Sequence, residues 1–200
     1  MKKLYVITLP DFISGESEIL TLLFKEGLER LHLRKPGGSK EQLKQLIQQI
    51  PPVYHPRIVL HDCLGLANEF SVGGIHLNRR NPDIPAGLDR FKSISRSCHS
   101  LQEVEQMLPM CDYVFLSPVF SSISKEGYGS GFQLDTLYKE GLAGRINKKV
   151  IALGGMDIHT IPLLHTIPFG GVACLGAIWG NHLPAETIIE NFKSIREILV

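Results

Sequence analysis

The chain has 200 residues, of which 44% are hydrophobic and 20% charged, and its 21 Lys and Arg residues nearly balance 20 Asp and Glu residues. This length suits one sizeable domain, and the even charge argues against a nucleic-acid partner or a membrane surface. No stretch approaches the roughly 18 apolar residues of a membrane span, and the apolar run that ends before Pro10 is too short for a signal peptide. The four cysteines form no C-x-x-C pair, so we expect buried thiols in a cytoplasmic protein.

Predicted strands and helices alternate along the whole chain. Apolar runs predict eight strands, at 4–8, 31–34, 57–61, 74–77, 91–95, 112–116, 150–153 and 170–175. Helical spacing predicts helices at 17–27, from 39 to 50, from 62 to 70, and at 101–108, 134–141, 157–166 and 184–199. Ser17, Ser39 and Asp157 are the candidate capping residues, and Gly176-Ala177 reads as a small-residue turn.

This order predicts an α/β fold, a single-domain (β/α)8 TIM barrel over residues 1–200. A unit of about 25 residues per strand and helix is short but workable for such a barrel. A doubly wound open sheet is the rival architecture. It usually has five or six strands and would leave the last two predicted strands unexplained.

Two loops near the end of the chain lack large side chains. Gly154-Gly155 follows the seventh predicted strand, and Gly176-Ala177 follows the eighth. In a barrel the loops after strands seven and eight commonly form a phosphate site, where backbone N–H groups meet the anion. The alternative interpretation is that these glycines only permit tight turns.

Polar side chains at the carboxyl ends of the strands are the candidates for chemistry, because barrel active sites lie there. Arg34 could clamp a phosphate or form an ion pair at the rim, and Asp62 could ligate Mg²⁺ or cap a helix. Ser97 and His99 follow the fifth strand, and His76 lies within the fourth. We expect structural roles for both of these histidines.

The segment 117–131, after the sixth strand, combines hydroxyls, a lysine and glycines. Ser122, Ser124 and Lys125 would suit a mobile lid that grips a phosphate. A merely flexible surface loop is the alternative interpretation.

Several motifs together resemble the thiamine phosphate synthase / thiazole tautomerase (TenI-like) superfamily. Their order and spacing carry the resemblance over nearly the whole chain, and no single motif decides it. The motifs are Leu33-Arg34, His61-Asp62, Gly74-Ile75-His76-Leu77, Ser97-x-His99, Phe115-Leu116-Ser117-Pro118-Val119-Phe120, Ser122-x-Ser124-Lys125, Ile151-Ala152-Leu153-Gly154-Gly155-Met156 and Gly170-Gly171-Val172-Ala173 leading to Gly176-Ala177-Ile178.

The resemblance implies a transferase in a TIM barrel that couples a hydroxymethylpyrimidine diphosphate to a thiazole phosphate, uses Mg²⁺ and expels pyrophosphate. Its partners would be phosphorylated small molecules. Whether the protein also forms a homo-oligomer is left open. Carried over by motif, Arg34, Ser97 and Lys125 would hold the leaving diphosphate, and Asp62 would hold Mg²⁺. The thiazole phosphate would be seated by Ser122, Ser124, Gly154, Gly155, Gly176 and Ala177.

The chain departs from the synthase pattern in its diphosphate half. His32 and His61, which we expect to bind substrate, replace the family's Gln and Asn. The following lysine is lost, with Lys35 or Lys40 as possible substitutes. The second metal carboxylate becomes Asn81, or at best the displaced Asp83, so Mg²⁺ binding should be weak and substrate-dependent.

Two alternatives to a synthase therefore stay open. One is a thiazole phosphate tautomerase with relocated acid–base groups such as His32 or His61, because Pro118 stands where that branch has its catalytic histidine. The other is a non-catalytic protein that binds thiazole or thiamine phosphate.

Overall fold

Eight parallel strands form a closed barrel in the computed structural model, which describes residues 2–88, 92–120, 132–181 and 183–199. Each strand pairs with the next, and the last pairs with the first, Val6 opposite Cys174. The predicted TIM-barrel fold is confirmed. The strands are β1 Lys3–Ile7, β2 Arg30–Leu33, β3 Ile58–Leu60, β4 Gly74–Leu77, β5 Ser93–Cys98, β6 Tyr113–Leu116, β7 Val150–Leu153 and β8 Gly171–Cys174.

Six α-helices and four short 3₁₀ segments lie between the strands or after β8 within the described residues. The helices are α1 Glu16–Lys25, α2 Lys40–Gln49, α3 Leu101–Met107, α4 Leu134–Leu142, α5 Gly176–Trp179 and α6 Ala185–Glu197. The 3₁₀ segments are Pro52–Arg57, Leu64–Asn68, Leu108–Met110 and Ile161–Leu164. Among the helices described, none is both long and apolar enough to cross a membrane.

Of the three predicted capping residues, one caps its helix as expected. Ser39 caps α2 in a reciprocal capping box, since its hydroxyl accepts from the Gln42 N–H and the Gln42 side chain accepts from the Ser39 N–H. Ser17 does not cap α1, because Gly15, with φ +70°, holds the cap position. The Asp157 carboxylate accepts from two backbone N–H groups, but the segment that follows it is a 3₁₀ turn and not an α-helix.

Three predicted elements were wrong in type. The helix expected at 157–166 is only the 3₁₀ turn Ile161–Leu164, because Pro162 in its middle cannot donate to a helical ladder. The helix expected from 62 to 70 is likewise a 3₁₀ segment, Leu64–Asn68. Gly176-Ala177 is not a turn but the start of α5.

The fifth strand lies further along the chain than predicted. It runs from Ser93 to Cys98 and pairs with β6, with Ser97 opposite Phe115. Its inward positions are Ser95 and Ser97, so the apolar signal that marks the other strands is missing from its second half. This shift places Arg96 and Ser97 at the mouth of the barrel.

Alternate residues of the strands face two different cores. Val6 belongs to the large core between the strands and the surrounding helices, whereas its neighbours Tyr5 and Ile7 face the barrel interior. The interior cluster is completed by Tyr113, Phe115, Ile151 and Ala173. The barrel interior is thus packed solid and forms the floor of whatever lies at its open end.

Candidate functional site

A cavity of ≈ 610 Å³ opens at the carboxyl ends of the strands. Four residues predicted to bind substrate line it together: Arg34, His61, Ser97 and Gly154. Its floor is apolar and consists of Ile7, Phe115, Leu153 and Leu175. One cavity thus combines a charged wall with an apolar base suited to a flat ring system.

Guanidinium groups dominate the wall of this cavity. Besides Arg34, it is lined by Arg79, Arg80 and Arg96, against one carboxylate among the described residues, that of Glu103. Burial lowers the pKa of Arg34, and the positive charge of Arg80 lowers it further. Four clustered guanidinium groups make this cavity a strong candidate for binding an anion with several oxygens, such as a phosphate or diphosphate.

Sequence reasoning missed three of these arginines. Arg79 and Arg80 follow β4 directly after Asn78, in a stretch that reads only as a polar loop. The Asn78 side chain accepts from the N–H groups of Arg80 and Asn81 and so folds the stretch into a tight turn. Arg96 was missed because the fifth strand was placed too early.

Asp62, predicted to hold metal, does not itself line the cavity but contacts Arg80, which does. Its side chain is buried and both of its oxygens accept hydrogen bonds. Oδ2 accepts from the Lys35 N–H at 2.8 Å, and Oδ1 accepts from Arg80 Nη2 at 2.9 Å and Nε at 3.2 Å. The carboxylate therefore forms a forked ion pair that fixes the direction of the Arg80 side chain.

Neither lysine proposed as a substitute reaches the cavity. Lys35 is fully buried on the other side of its strand end, where Nζ donates to Glu16 Oε1 at 2.6 Å and to the Asp11 carbonyl at 2.7 Å. Lys40 forms a surface ion pair with Glu69. The prediction that either lysine replaces the missing one was wrong. Lys35 follows Arg34, and successive residues at a strand end point in opposite directions, whereas Lys40 lies at the start of α2 and is held at the surface by Glu69.

Three histidines lie side by side inside the barrel under the cavity. Nδ1 of His32 lies 2.8 Å from Nε2 of His61, and the Tyr113 hydroxyl lies 2.9 Å from Nε2 of His32. His76 contacts the hydroxyls of Ser95 and Ser97 at 2.9 and 2.8 Å. His61 lines the cavity, but His32 is completely buried and does not. His76 is the satisfied structural histidine that its apolar neighbours indicated.

The hydrogen bonds of Ser95 determine which way the proton of Ser97 points. The Ile75 carbonyl can only accept, so Ser95 donates to it, at 3.1 Å. Nδ1 of His76 then donates to Ser95, and Nε2 accepts from Ser97. Ser97 therefore offers oxygen lone pairs to the cavity rather than a proton, which makes it a poor donor to a phosphate.

These histidines are neutral at pH 7. Burial lowers the pKa of His32 and His61 well below the usual value, and lowers that of His76 to about 3. Among the described residues they form the only group of three metal-ligand side chains, with ligand atoms within 4.8 Å of one another. However, the rings of His61 and His76 stack with centroids 4.1 Å apart and planes 16° apart, so their in-plane lone pairs do not converge on one ion.

His99 links the ends of the neighbouring strands β5 and β6. Its Nδ1 lies 2.9 Å from the Ser117 carbonyl oxygen, and its N–H donates to the Glu103 carboxylate at 2.7 Å. Its exposed ring also lines the cavity. The structural role expected for it accords with these contacts.

The loop after β7 and the start of α5 differ in how tightly they are packed. Gly154 has φ +96°, and a Cβ there would lie 2.8 Å from the Pro118 Cα; Gly155 has φ +63°, with a Cβ 2.7 Å from that of Phe120. Close packing thus requires glycine at both positions whether or not a phosphate binds. At Gly176 an added Cβ would meet nothing within 4 Å. Ala177 follows it in α5, whereas Ser122, Ser124 and Lys125 lie outside the described residues.

Known proteins that are similar to this chain in sequence and fold are named for one activity, the synthesis of thiamine phosphate. A family model for thiamine monophosphate synthase matches residues 4–178. A thiamine-phosphate synthase of Anoxybacillus flavithermus is 26% identical over 191 residues, which cover 91% of this chain and 86% of that protein.

Solved structures extend the similarity. A thiamine phosphate pyrophosphorylase from Bacteroides thetaiotaomicron has a TM-score of 0.88 and 37% identity, covering 98% of this chain and 97% of that one. One from Pyrococcus furiosus shares the fold, with a TM-score of 0.76, 20% identity and coverage of 99% and 97%. The family model and the relatives from Anoxybacillus flavithermus and Bacteroides thetaiotaomicron are described as a synthase or pyrophosphorylase, and none of these three descriptions names a tautomerase.

Proposed function

The chain belongs to the thiamine monophosphate synthase family, and from that premise we propose that it couples a hydroxymethylpyrimidine diphosphate to a thiazole phosphate and releases pyrophosphate. The observation that carries this proposal is the cavity itself. Its guanidinium wall suits a diphosphate, and its apolar floor suits two heterocyclic rings. A single monophosphate ligand would not need four arginines.

The guanidinium wall would bind the diphosphate and stabilise the charge that develops as it leaves. Arg34, Arg80 and Arg96 lie on three parts of the cavity wall, after β2, after β4 and within β5. Preorganised cations near a developing anion lower the barrier most in a site that excludes water. Ser97 contributes position rather than a proton, since its hydroxyl proton is directed to His76.

The thiazole phosphate would lie across the floor, at the ends of β7 and β8. Gly154 lines the cavity there, and Gly176 and Ala177 begin α5 just after Leu175, which also lines it. The first residues of a helix have N–H groups without partners inside the helix, and these can meet phosphate oxygens. Gly155 would support this loop by packing on Phe120. We retain the prediction that Ser122, Ser124 and Lys125 complete the site.

The coupling step requires position and charge stabilisation. The thiazole ring nitrogen forms a bond to the methylene carbon of the pyrimidine as the bond from that carbon to the diphosphate oxygen breaks. The bonding pair leaves with pyrophosphate, and no proton has to move. This agrees with an interior of neutral, hydrogen-bonded histidines, and with a cavity whose main role is to hold two substrates in line.

The test is product formation from the two phosphorylated substrates. Pyrophosphate release and thiamine phosphate are measured together, and each substrate is omitted in turn as a control. We expect both products in equal amounts only when both substrates are present. Binding of both substrates without pyrophosphate release would contradict the proposal and would leave the non-catalytic alternative.

A further inference from the structure

The residues around Asp62 do not fit the magnesium ion that the family resemblance implies. Mg²⁺ demands near-octahedral oxygen ligands at about 2.0–2.1 Å. Here Oδ2 of Asp62 accepts from a backbone N–H, and Oδ1 accepts from two nitrogens of Arg80. An ion at Oδ1 would have to displace a guanidinium group and then remain beside its positive charge.

Asn81, at the position of the expected second carboxylate, makes the fit worse. Its amide nitrogen donates to the His61 carbonyl at 2.9 Å and lies 3.5 Å from Asp62 Oδ1. The side chain thus offers N–H groups towards Asp62, where an ion would need oxygen. Within the described part of the chain, Asp62 belongs to no group of three His, Cys, Asp or Glu side chains able to share an ion.

Resting on the proposed function, we propose that this chain binds the substrate diphosphate without a divalent metal, with the Arg80 guanidinium in the place that the metal would take. Arg80 has five N–H donors, of which Nε and Nη2 bond to Asp62. Three donors remain for an anion in the cavity that Arg80 lines. Arg34 and Arg96 supply further positive charge in the same wall.

Asp62 acts in this arrangement as a positioning residue. Its carboxylate is held from below by the Lys35 N–H and holds Arg80 from above by two hydrogen bonds. The Arg80 side chain is 43% exposed and would otherwise sample many rotamers. A buried carboxylate that the resemblance assigns to metal binding thus fixes a guanidinium group instead.

The first test measures binding of inorganic pyrophosphate to the wild-type protein by calorimetry, in EDTA and in excess Mg²⁺. We expect clear binding in EDTA, with an affinity within about threefold of that in Mg²⁺. Mg²⁺ titrated alone should give no heat of binding. Pyrophosphate binding that requires Mg²⁺, or tight binding of Mg²⁺ alone, would overturn the proposal.

The second test removes the Arg80 guanidinium group that bonds to Asp62. Arg80→Gln should weaken pyrophosphate binding in EDTA by about 10- to 100-fold, since charge-assisted hydrogen bonds are lost. Mg²⁺ should restore part of that affinity, because Asp62 Oδ1 is then free to accept an ion. Arg80→Lys, which keeps the charge without the fork, should show an intermediate loss, and thermal melting confirms that each variant folds.

Arg79→Gln is the matched control, because Arg79 is adjacent and lines the same cavity, whereas the described hydrogen bonds and ion pair of Asp62 are made with other residues. It should show no gain in Mg²⁺ response. An equal Mg²⁺ response in both variants would attribute the effect to net charge and overturn the role given to the Arg80–Asp62 pair.

Coupling assays separate this inference from the proposed function. Wild-type turnover that persists in EDTA supports both. Turnover that stops in EDTA and returns with Mg²⁺ overturns the metal-free site but leaves the synthase function intact. Pyrophosphate binding in EDTA without turnover under any condition supports the metal-free anion site and contradicts the synthase function.

Discussion

The hydroxyl of Tyr113 lies 2.9 Å from Nε2 of His32, at the centre of a barrel interior that other strands fill with apolar side chains. His32 in turn contacts His61 at 2.8 Å through its second nitrogen. Both ring nitrogens of a completely buried histidine are thereby satisfied. The polar network under the cavity is consequently sensitive to the loss of a single hydroxyl.

Tyr113→Phe should lower the free energy of unfolding by about 1–3 kcal/mol, because it leaves His32 Nε2 buried without a partner. Urea denaturation monitored by circular dichroism measures this change. The control is Tyr138→Phe on α4, where the side chain is 46% exposed and the change should be within about 0.5 kcal/mol. Equal stabilities of the two variants would show that the His32 contact contributes nothing.

Stability should fall as the pH drops below about 6.5, the ordinary pKa of histidine in an unfolded chain. Burial lowers the folded-state pKa of His76 to about 3 and lowers the pKa of His32 and His61 as well. The unfolded chain therefore binds protons that the folded chain does not, and stability is complete above this window and is lost progressively down to about pH 3.

Urea denaturation at pH 7, 6 and 5 tests this pH dependence, because ordinary carboxyl groups have pKa values of about 4 and contribute little over that interval. We expect the free energy of unfolding to fall at each step. An unchanged midpoint from pH 7 to pH 5 would be inconsistent with buried neutral histidines.

Gly155, in the loop after β7, and Gly176, at the start of α5, should respond differently to added side chains. Gly155→Ala should destabilise the protein by about 1–3 kcal/mol, because φ is +63° and the new Cβ would clash with Phe120. Gly176→Leu should melt near the wild-type temperature, since the space beside it is open, but should weaken thiazole phosphate binding at least about tenfold. Wild-type affinity in Gly176→Leu would place the phosphate elsewhere.

Arg34 and Ser97 line the same cavity but should contribute unequally to pyrophosphate binding. Arg34→Gln should weaken binding about 10- to 100-fold, because a charged fork is lost. Ser97→Ala should change it by less than about threefold, because the Ser97 proton is directed to His76. Calorimetry on both variants gives the comparison. A loss in Ser97→Ala as large as that in Arg34→Gln would mean that the hydroxyl donates to the anion after all.

The barrel and part of its mouth could be predicted because their signals are local. Short apolar runs ending at residues such as Arg34 and Gly154 identify buried parallel strands, and parallel strands bring their carboxyl ends together. Lys35 could have been excluded from the cavity by the same reasoning, since it follows Arg34 and points the opposite way.

The Arg80–Asp62 pair could not be predicted from local signals. It depends on a turn held by the Asn78 side chain, and nothing in the spacing of residues 62 and 80 shows that they meet. Arg96 was hidden because the inward side chains of β5 are serines that bond to His76 and so carry no apolar signal.

The arginine wall also affects what happens after the reaction. If the arginines bind the departing pyrophosphate as proposed, they bind it equally well when it returns from solution, and the apolar floor offers no group that would repel it. Accumulated pyrophosphate should therefore compete with the diphosphate substrate for the same wall, with an inhibition constant that rises steeply with ionic strength. Sustained turnover would then depend on a separate hydrolytic activity that splits pyrophosphate as it forms.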